Sequence, residues 1–291
     1  MHDWHLPDRI LQIGHRALIM SIVNVTPDSF SDGGLHFDPE KAIADALVMV
    51  DQGADLLDIG GESSRPGAVL VALDEELRRV IPVVRGLAAQ TKVPLSLDTT
   101  KAEVARQGLA AGAHIINDIT ALLGDAAMPE VAREAKAGVI LMHMQGTPAT
   151  MQLDPRYQDV VAEVGQFFEA RLRQIGEQGI AKEHAVLDPG IGFGKKTEHN
   201  LKLLTNLKEF QRLGRPVCLG VSRKGVFGKV LNRPVEQRLI ASIAAVCWAV
   251  SHGAAQIVRV HDVAETRDAV LLLAALQSVA DPAGSSTHLR A

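Results

Sequence analysis

Eight times along the sequence a short apolar run stops at polar or charged side chains. Asn24 follows LIMSIV, and Glu62-Ser63-Ser64-Arg65-Pro66 follows DLLDIGG. Asp98 ends PLSLD, Asn117 and Asp118 end HIIND, His143 ends VILMH and Asp188 ends AVLD. Ser222-Arg223-Lys224 follows VCLGV, and Arg259 and His261 end QIVRVH. These residues sort into two chemistries. The carboxylates and carboxamide of Asp98, Asn117 and Asp188 suit a planar heterocycle rich in N–H donors and ring acceptors. Ser222, Arg223, Lys224, Arg259 and His261 suit phosphate oxygens. Asn24 adds a hard oxygen donor able to reach a magnesium ion that also touches those phosphates. A phosphorylated heterocycle is the ligand class these types imply; its identity does not follow from spacing.

Taken singly, each residue has a plainer reading. Asp98 before Thr99-Thr100-Lys101 can cap a helix, and Asp188 before Pro189-Gly190 can form a turn. Arg259 can pair with Asp262 or Glu265 at the surface, which stabilises little. His143, between Met142 and Met144, reads as a packed core histidine, and no cluster has zinc spacing. Only their shared position sets them apart: each stands where an apolar run ends.

Those runs are the elements that must position them. Between the runs lie segments with helical spacing, such as 38–53, 73–90 and 234–253. Gly53, Gly112, Gly138, Gly179 and Gly253 stand before the next run, where a left-handed residue past a helix end is expected. Runs apolar on both faces point to a parallel sheet covered by helices. Eight strand–helix units in about 250 residues have the size of a TIM (β/α)8 barrel, whose strand ends open onto one catalytic rim. An open doubly wound sheet is the second choice, but it usually carries a Gly-rich loop after its first strand, and Asn24-Val25-Thr26-Pro27 is not one. The division expected is an N-terminal segment over 1–16 that plugs the barrel bottom, a catalytic domain over 17–280 and a frayed polar tail over 281–291.

Composition narrows the function classes. The chain has 291 residues, 47% hydrophobic and 3% aromatic, with a net charge of -4. That supports a large aliphatic core and, without a basic block, argues against a nucleic-acid partner. No apolar run is long enough to span a bilayer. The start, MHDWHLPDRI, lacks a signal pattern, so a cytoplasmic protein is expected. Cys218 and Cys247 each lie in an apolar stretch and read as buried free thiols.

The motifs NVTPDSFSDGG, GGESSRPGA, SLDTTKAEVA, GAHIINDIT, LMHMQGTPATMQ, LDPGIGFGK, GVSRKG and RVHDVAET, in this order over about residues 18–275, together resemble the dihydropteroate synthases. The resemblance implies condensation of hydroxymethyl-dihydropterin pyrophosphate with p-aminobenzoate, a requirement for Mg2+, and a homodimer formed on the outer helices. It further implies that Asp98, Asn117, Asp188, Lys224 and Arg259 contact the pterin, with Asp98, Lys224 and Arg259 central to catalysis. By the same resemblance Asn24, Arg259 and His261 meet the pyrophosphate and magnesium, Asn24 as the metal's ligand. Phe30, Ser64, Arg65, Pro66, Phe193 and Ser222 resemble the p-aminobenzoate pocket. The loop after Asn24 carries Ser, Asp and a Gly pair with little apolar content to pin it, so the magnesium–pyrophosphate unit is expected to order it and bring Phe30 over the rim.

Three departures from the usual pattern are conservative: Ser64 where many members carry Thr, Thr100 where Ser is common, and Lys196 where Asn or Thr is frequent. Rival readings are a barrel aldolase with Lys224 as a Schiff-base lysine, a pterin-dependent methyl-transfer domain, and a pterin-binding paralogue without synthase activity. The methyl-transfer reading lacks a counterpart for the VTPDSFSDGG and SSRPGA loops found here.

Overall fold

The computed structural model describes residues 2–14, 16–26 and 38–280. The chain begins with an antiparallel hairpin of β1 (His2–His5) and β2 (Ile10–Ile13). Eight parallel strands follow: β3 (Leu18–Asn24), β4 (Leu56–Gly60), β5 (Leu95–Asp98), β6 (Ile115–Asp118), β7 (Gly138–Met142), β8 (Ala185–Asp188), β9 (Cys218–Gly220) and β10 (Ile257–Val260). They pair in the order β8-β7-β6-β5-β4-β3-β10-β9. A parallel bridge between Leu187 and Val217 joins the two ends of that row. The ring closes, so the expected barrel is the fold found and the open sheet is not.

Helices cover the outside: α1 (Pro39–Asp51), α2 (Leu73–Gln90), α3 (Ala102–Ala110), α4 (Met128–Ala135), α5 (Val160–Glu177), α6 (Thr197–Thr205), α7 (Gly225–Leu231), α8 (Leu239–Ser251) and α9 (Val263–Ala280). Their starts follow local chemistry. Asp38 accepts the N–H groups of Glu40 and Lys41 while Pro39 enters at the first turn, and Asp159 caps α5 in the same way. The seventh unit carries two helices, α7 directly behind Lys224 and then α8. The sequence segment 234–253 had merged a short 3-10 turn with α8.

Gly53, Gly112, Gly179 and Gly253 take the expected positive φ. Gly138 does not, because Lys136 takes the left-handed position at the end of α4 and Gly138 opens β7. Space is the reason for glycine there. A Cβ at 138 would stand 2.5 Å from Leu6 Cδ2 and 3.0 Å from Trp4 Nε1, so the hairpin seats itself against the bare backbone.

Side chains alternate between the two faces of each strand, and this period fixes the site. Leu56, Ile115, Ile140, Val186, Cys218 and Ile257 point inward at the bottom and pack with Trp4, Leu6 and Ile13 of the hairpin segment. Two residues further along the same strands come Asp58, Asn117, Met142, Asp188, Gly220 and Arg259. The outward positions, such as Leu57, Ile116, Leu141, Leu187 and Val258, meet the helices in the main core. Cys218 is buried as expected, whereas Cys247 on α8 is only partly buried, because α8 is apolar nearly all round and turns part of that surface outward. Trp4 is fully buried and donates its indole N–H to the His184 carbonyl at 2.7 Å. Trp4→Ala is expected to destabilise the protein by about 3–5 kcal/mol. Urea unfolding checks this; an unchanged midpoint would mean that the hairpin is not part of the core.

Candidate active site

Arg259 of β10 projects across the inside of the barrel toward two carboxylates on neighbouring strands. Its Nε donates to Asp58 Oδ2 at 2.6 Å and its Nη2 donates to Asp98 Oδ2 at 2.6 Å. Asp58 is fully buried at the middle of β4. The same Asp58 Oδ2 accepts from Asn117 Nδ2 at 2.9 Å, which leaves the Asn117 carbonyl oxygen as its free acceptor. One buried carboxylate thus orients an arginine and an amide at once. The surface pairing of Arg259 with Asp262 is not found; Asp262 is taken by Arg223, whose Nε approaches at 3.1 Å.

Beside this cluster a cleft opens to solvent. Asp98, Asn117 and Arg259 form one wall, and Asp188, Lys224 and Phe193 form the other. Asp188 is anchored by the Gly190 N–H on Oδ1 at 2.7 Å. Lys224 stands behind β9 with its ammonium 4.1 Å from the centre of the Phe193 ring, a cation–π contact. Ser64, from the loop after β4, completes the lining with Ile119 and Met142.

The loop carrying Phe193 is fastened from beneath. Lys195 is buried and donates to the carbonyls of His143, Gly190 and Phe193 at 3.1, 3.0 and 2.9 Å. All three ammonium protons are used, so the residue binds backbone and does not reach the cleft. Gly190 is required by this approach, since a Cβ there would stand 2.0 Å from the His143 oxygen. His143 itself packs edge-on against Phe167 with ring centres 4.9 Å apart, and burial pushes it down to about 3. It is the core histidine its neighbours suggested.

The other expected residues divide. Ser222 is buried and its Oγ faces His261, accepting its backbone N–H at 3.2 Å and lying 2.9 Å from its Nδ1. Arg65 and Pro66 are exposed beside the cleft and Asn24 is half-buried at the end of β3; these, with Ser222 and His261, flank the lining rather than form it. Asp118 faces outward and holds the turn after β6 through the N–H groups of Thr120 and Leu122. Phe30 and its loop, like the tail 281–291, lie outside the described residues.

Against known proteins, the family model described as Pterin binding enzyme matches residues 20–261. A dihydropteroate synthase of Escherichia coli K12 is 48% identical over 260 residues, covering 89% of this chain and 92% of that protein. A Xanthomonas albilineans dihydropteroate synthase solved with 4-aminobenzoic acid is 47% identical, with a TM-score of 0.88 over 95% of this chain and 98% of that one. The same organism's enzyme in complex with 7,8-dihydropteroate superposes with a TM-score of 0.85 at 45% identity, covering 95% and 99%. The chain belongs to the dihydropteroate synthase family.

Two groups on the cleft of this dihydropteroate synthase relative are displaced by burial in ways that matter for binding. Burial pushes Asp98 above the usual carboxylate range, with Arg259 opposing and Asp58 and Glu76 adding to it. Burial pushes Lys224 down to about 8, with Asp188 opposing and Arg259 adding. The Lys224 ammonium is therefore present below pH 8 and lost as pH rises through it. A ligand that accepts from this ammonium is expected to bind progressively more weakly above pH 8, by up to about tenfold per pH unit. Calorimetry with a bare pterin between pH 7 and 9.5 checks this; Lys224→Met is expected to flatten the profile, and a profile identical in both proteins would exclude Lys224 as the donor.

Sequence reading missed Asp58, Lys195 and the inner role of Met142. Asp58 had a signal: it is the one charged residue inside an otherwise apolar strand, two residues beyond the inward Leu56.

Proposed function

We propose that the protein condenses hydroxymethyl-dihydropterin pyrophosphate with p-aminobenzoate, giving dihydropteroate and pyrophosphate for folate synthesis. The observation that carries this reading is the pair of walls formed by Asp98, Asn117 and Arg259 on one side and Asp188 and Lys224 on the other. A pterin ring presents N–H donors on one edge and acceptors on the next. Asp98, Asp188 and the Asn117 carbonyl oxygen accept from the donors, and the Lys224 ammonium donates a hydrogen bond to the acceptors. Ser64 and Phe193 line the outer part of the cleft, on the path of the second substrate. Arg65 and Pro66 border it, and Ser222 steadies His261.

Asn24 and His261 stand on the rim on the pyrophosphate side with Arg259. Burial, with Arg259 and Arg223 adding, pushes His261 down to about 4, so it meets the pyrophosphate first as a neutral N–H donor. Among the described residues no group of three or more His, Cys, Asp or Glu can hold a metal ion. A magnesium ion carried largely by phosphate oxygens and water fits such a rim, with the Asn24 carboxamide as its protein donor. Bound there, it would neutralise charge on the departing pyrophosphate.

The bond between the pterin methylene and the pyrophosphate oxygen breaks, and the methylene cation spreads into the ring. Asp98 and Asp188 face that developing charge from fixed positions. The weakly basic amine of p-aminobenzoate then adds and loses a proton. No protein nucleophile is required, and the Cys218 thiol, raised by burial at the barrel bottom, is not placed to be one.

No described helix is long and apolar enough to cross a membrane. On α8 and α9, Ile240, Leu272 and Val279 are 82%, 61% and 81% exposed, with Trp248 and Leu276 about half exposed. An apolar face of this kind on two outer helices supports a homodimer. Leu272→Glu is expected to convert a dimer into a monomer in light scattering; a monomeric parent protein would remove that part of the reading.

Incubation with the pterin pyrophosphate, p-aminobenzoate and magnesium tests the activity. Equal amounts of pyrophosphate and dihydropteroate are expected, and pterin binding without pyrophosphate release would make this a binding module. Asp98→Asn is expected to weaken pterin binding about tenfold or more by calorimetry, through loss of a charge-assisted hydrogen bond, and to change the p-aminobenzoate KM less.

A further inference from the structure

The loop over residues 61–72, which presents Ser64 to the cleft, has few bonds of its own near its tip. Ser63 Oγ accepts from the Arg65 N–H at 3.4 Å, and the Gly67 N–H reaches the Pro148 carbonyl at 3.3 Å. Its stem is held much more firmly. Arg79 Nη1 on α2 donates to the Gly61 carbonyl at 2.9 Å. Glu62 Oε2 accepts the Val71 N–H at 3.2 Å, tying the two ends of the loop together. That same oxygen is paired with the Lys101 ammonium.

Lys101 stands at the start of α3, three residues beyond Asp98. Besides Glu62 it binds Glu76 Oε2 of α2 at 2.5 Å. Glu76 is fully buried, and its other oxygen accepts from Thr99 Oγ1 at 2.6 Å. One ammonium thus bridges two carboxylates, Glu76 in the core and Glu62 at the base of the rim loop. The segment that leaves β5 just past Asp98 thus carries the brace for the neighbouring loop after β4.

We propose that Lys101 is a positioning residue for the p-aminobenzoate half of the site: its ammonium, shared between Glu62 and Glu76, sets the height of the 61–72 loop and so of Ser64 against Phe193. The proposal rests on the function assigned above. Burial alone would lower the Lys101 ammonium, but its hydrogen bonds to Glu62 and Glu76 outweigh that and raise it, so it stays charged throughout the neutral range. Removing it leaves two facing carboxylates that push the loop away, and small displacements at a reacting centre lower rates steeply.

Steady-state kinetics with each substrate varied, together with pterin calorimetry, tests this on Lys101→Gln, Glu62→Gln and Lys101→Arg. The first two are expected to raise the p-aminobenzoate KM about tenfold while pterin affinity changes much less, and Lys101→Arg is expected to restore most of the loss. A p-aminobenzoate KM that does not move, or an equal rise in both substrates' KM, would overturn the proposal. Should Lys101→Gln fail to fold, Glu62→Gln, altered on the loop alone, decides by the same criteria. Wild-type turnover is read first: its absence overturns the assigned function and this proposal with it, whereas turnover with an unmoved KM overturns the proposal only.

Discussion

An arginine that points into a closed barrel must find its counter-charges there. Burying an unpaired guanidinium is prohibitively unfavourable, and a buried pair is sustained only with good geometry and further hydrogen bonds. Arg259 meets that condition with Asp58 on one side and Asp98 on the other, and Asn117 shares the Asp58 oxygen. The three strands β4, β5 and β10, which lie to either side of β3 in the barrel, are thereby tied through their interior side chains. Asp98 and Asn117 are not free to turn. They present fixed acceptors to the cleft before any ligand arrives.

Two carboxylates share one guanidinium on one side of the cleft, while Asp188 and Lys224 balance one another in charge on the other. The result is a site with anionic acceptors around the ring position and cationic or N–H donors toward the rim. That separation suits a substrate whose ring becomes cationic as its pyrophosphate leaves. Beneath the rim, lysines do different work by context. Lys195 is surrounded by carbonyls and stiffens backbone, Lys101 bridges carboxylates, and Lys224 keeps one face open to the cleft.

Much of this was legible in the sequence. Asp98, Asn117 and Asp188 each end an apolar run, and a parallel barrel brings all strand ends to one rim, so convergence followed from topology. Position along the chain did not reveal pairing. Arg223 looked like a phosphate ligand and is instead held by Asp262, and Ser222 is engaged with His261 at the side of the cleft. Asp58 lay hidden because it interrupts an apolar run rather than ending one. Gly138 was read as a helix terminator, but the backbone there is bare because Trp4 and Leu6 press against it from a hairpin more than a hundred residues away. Long-range packing of that kind leaves no local pattern.

The central claim is that Asp58 and Arg259 act on the pterin as one unit. A double-mutant cycle measures this directly, with pterin affinity determined by calorimetry for Asp58→Asn, Arg259→Met and the pair. If Asp58 works by holding Arg259 and Asn117, the double variant will lose little more than the worse single variant, a coupling of about 1–3 kcal/mol. Losses that simply add, with a coupling near zero, would show that the two residues act separately and contradict the account.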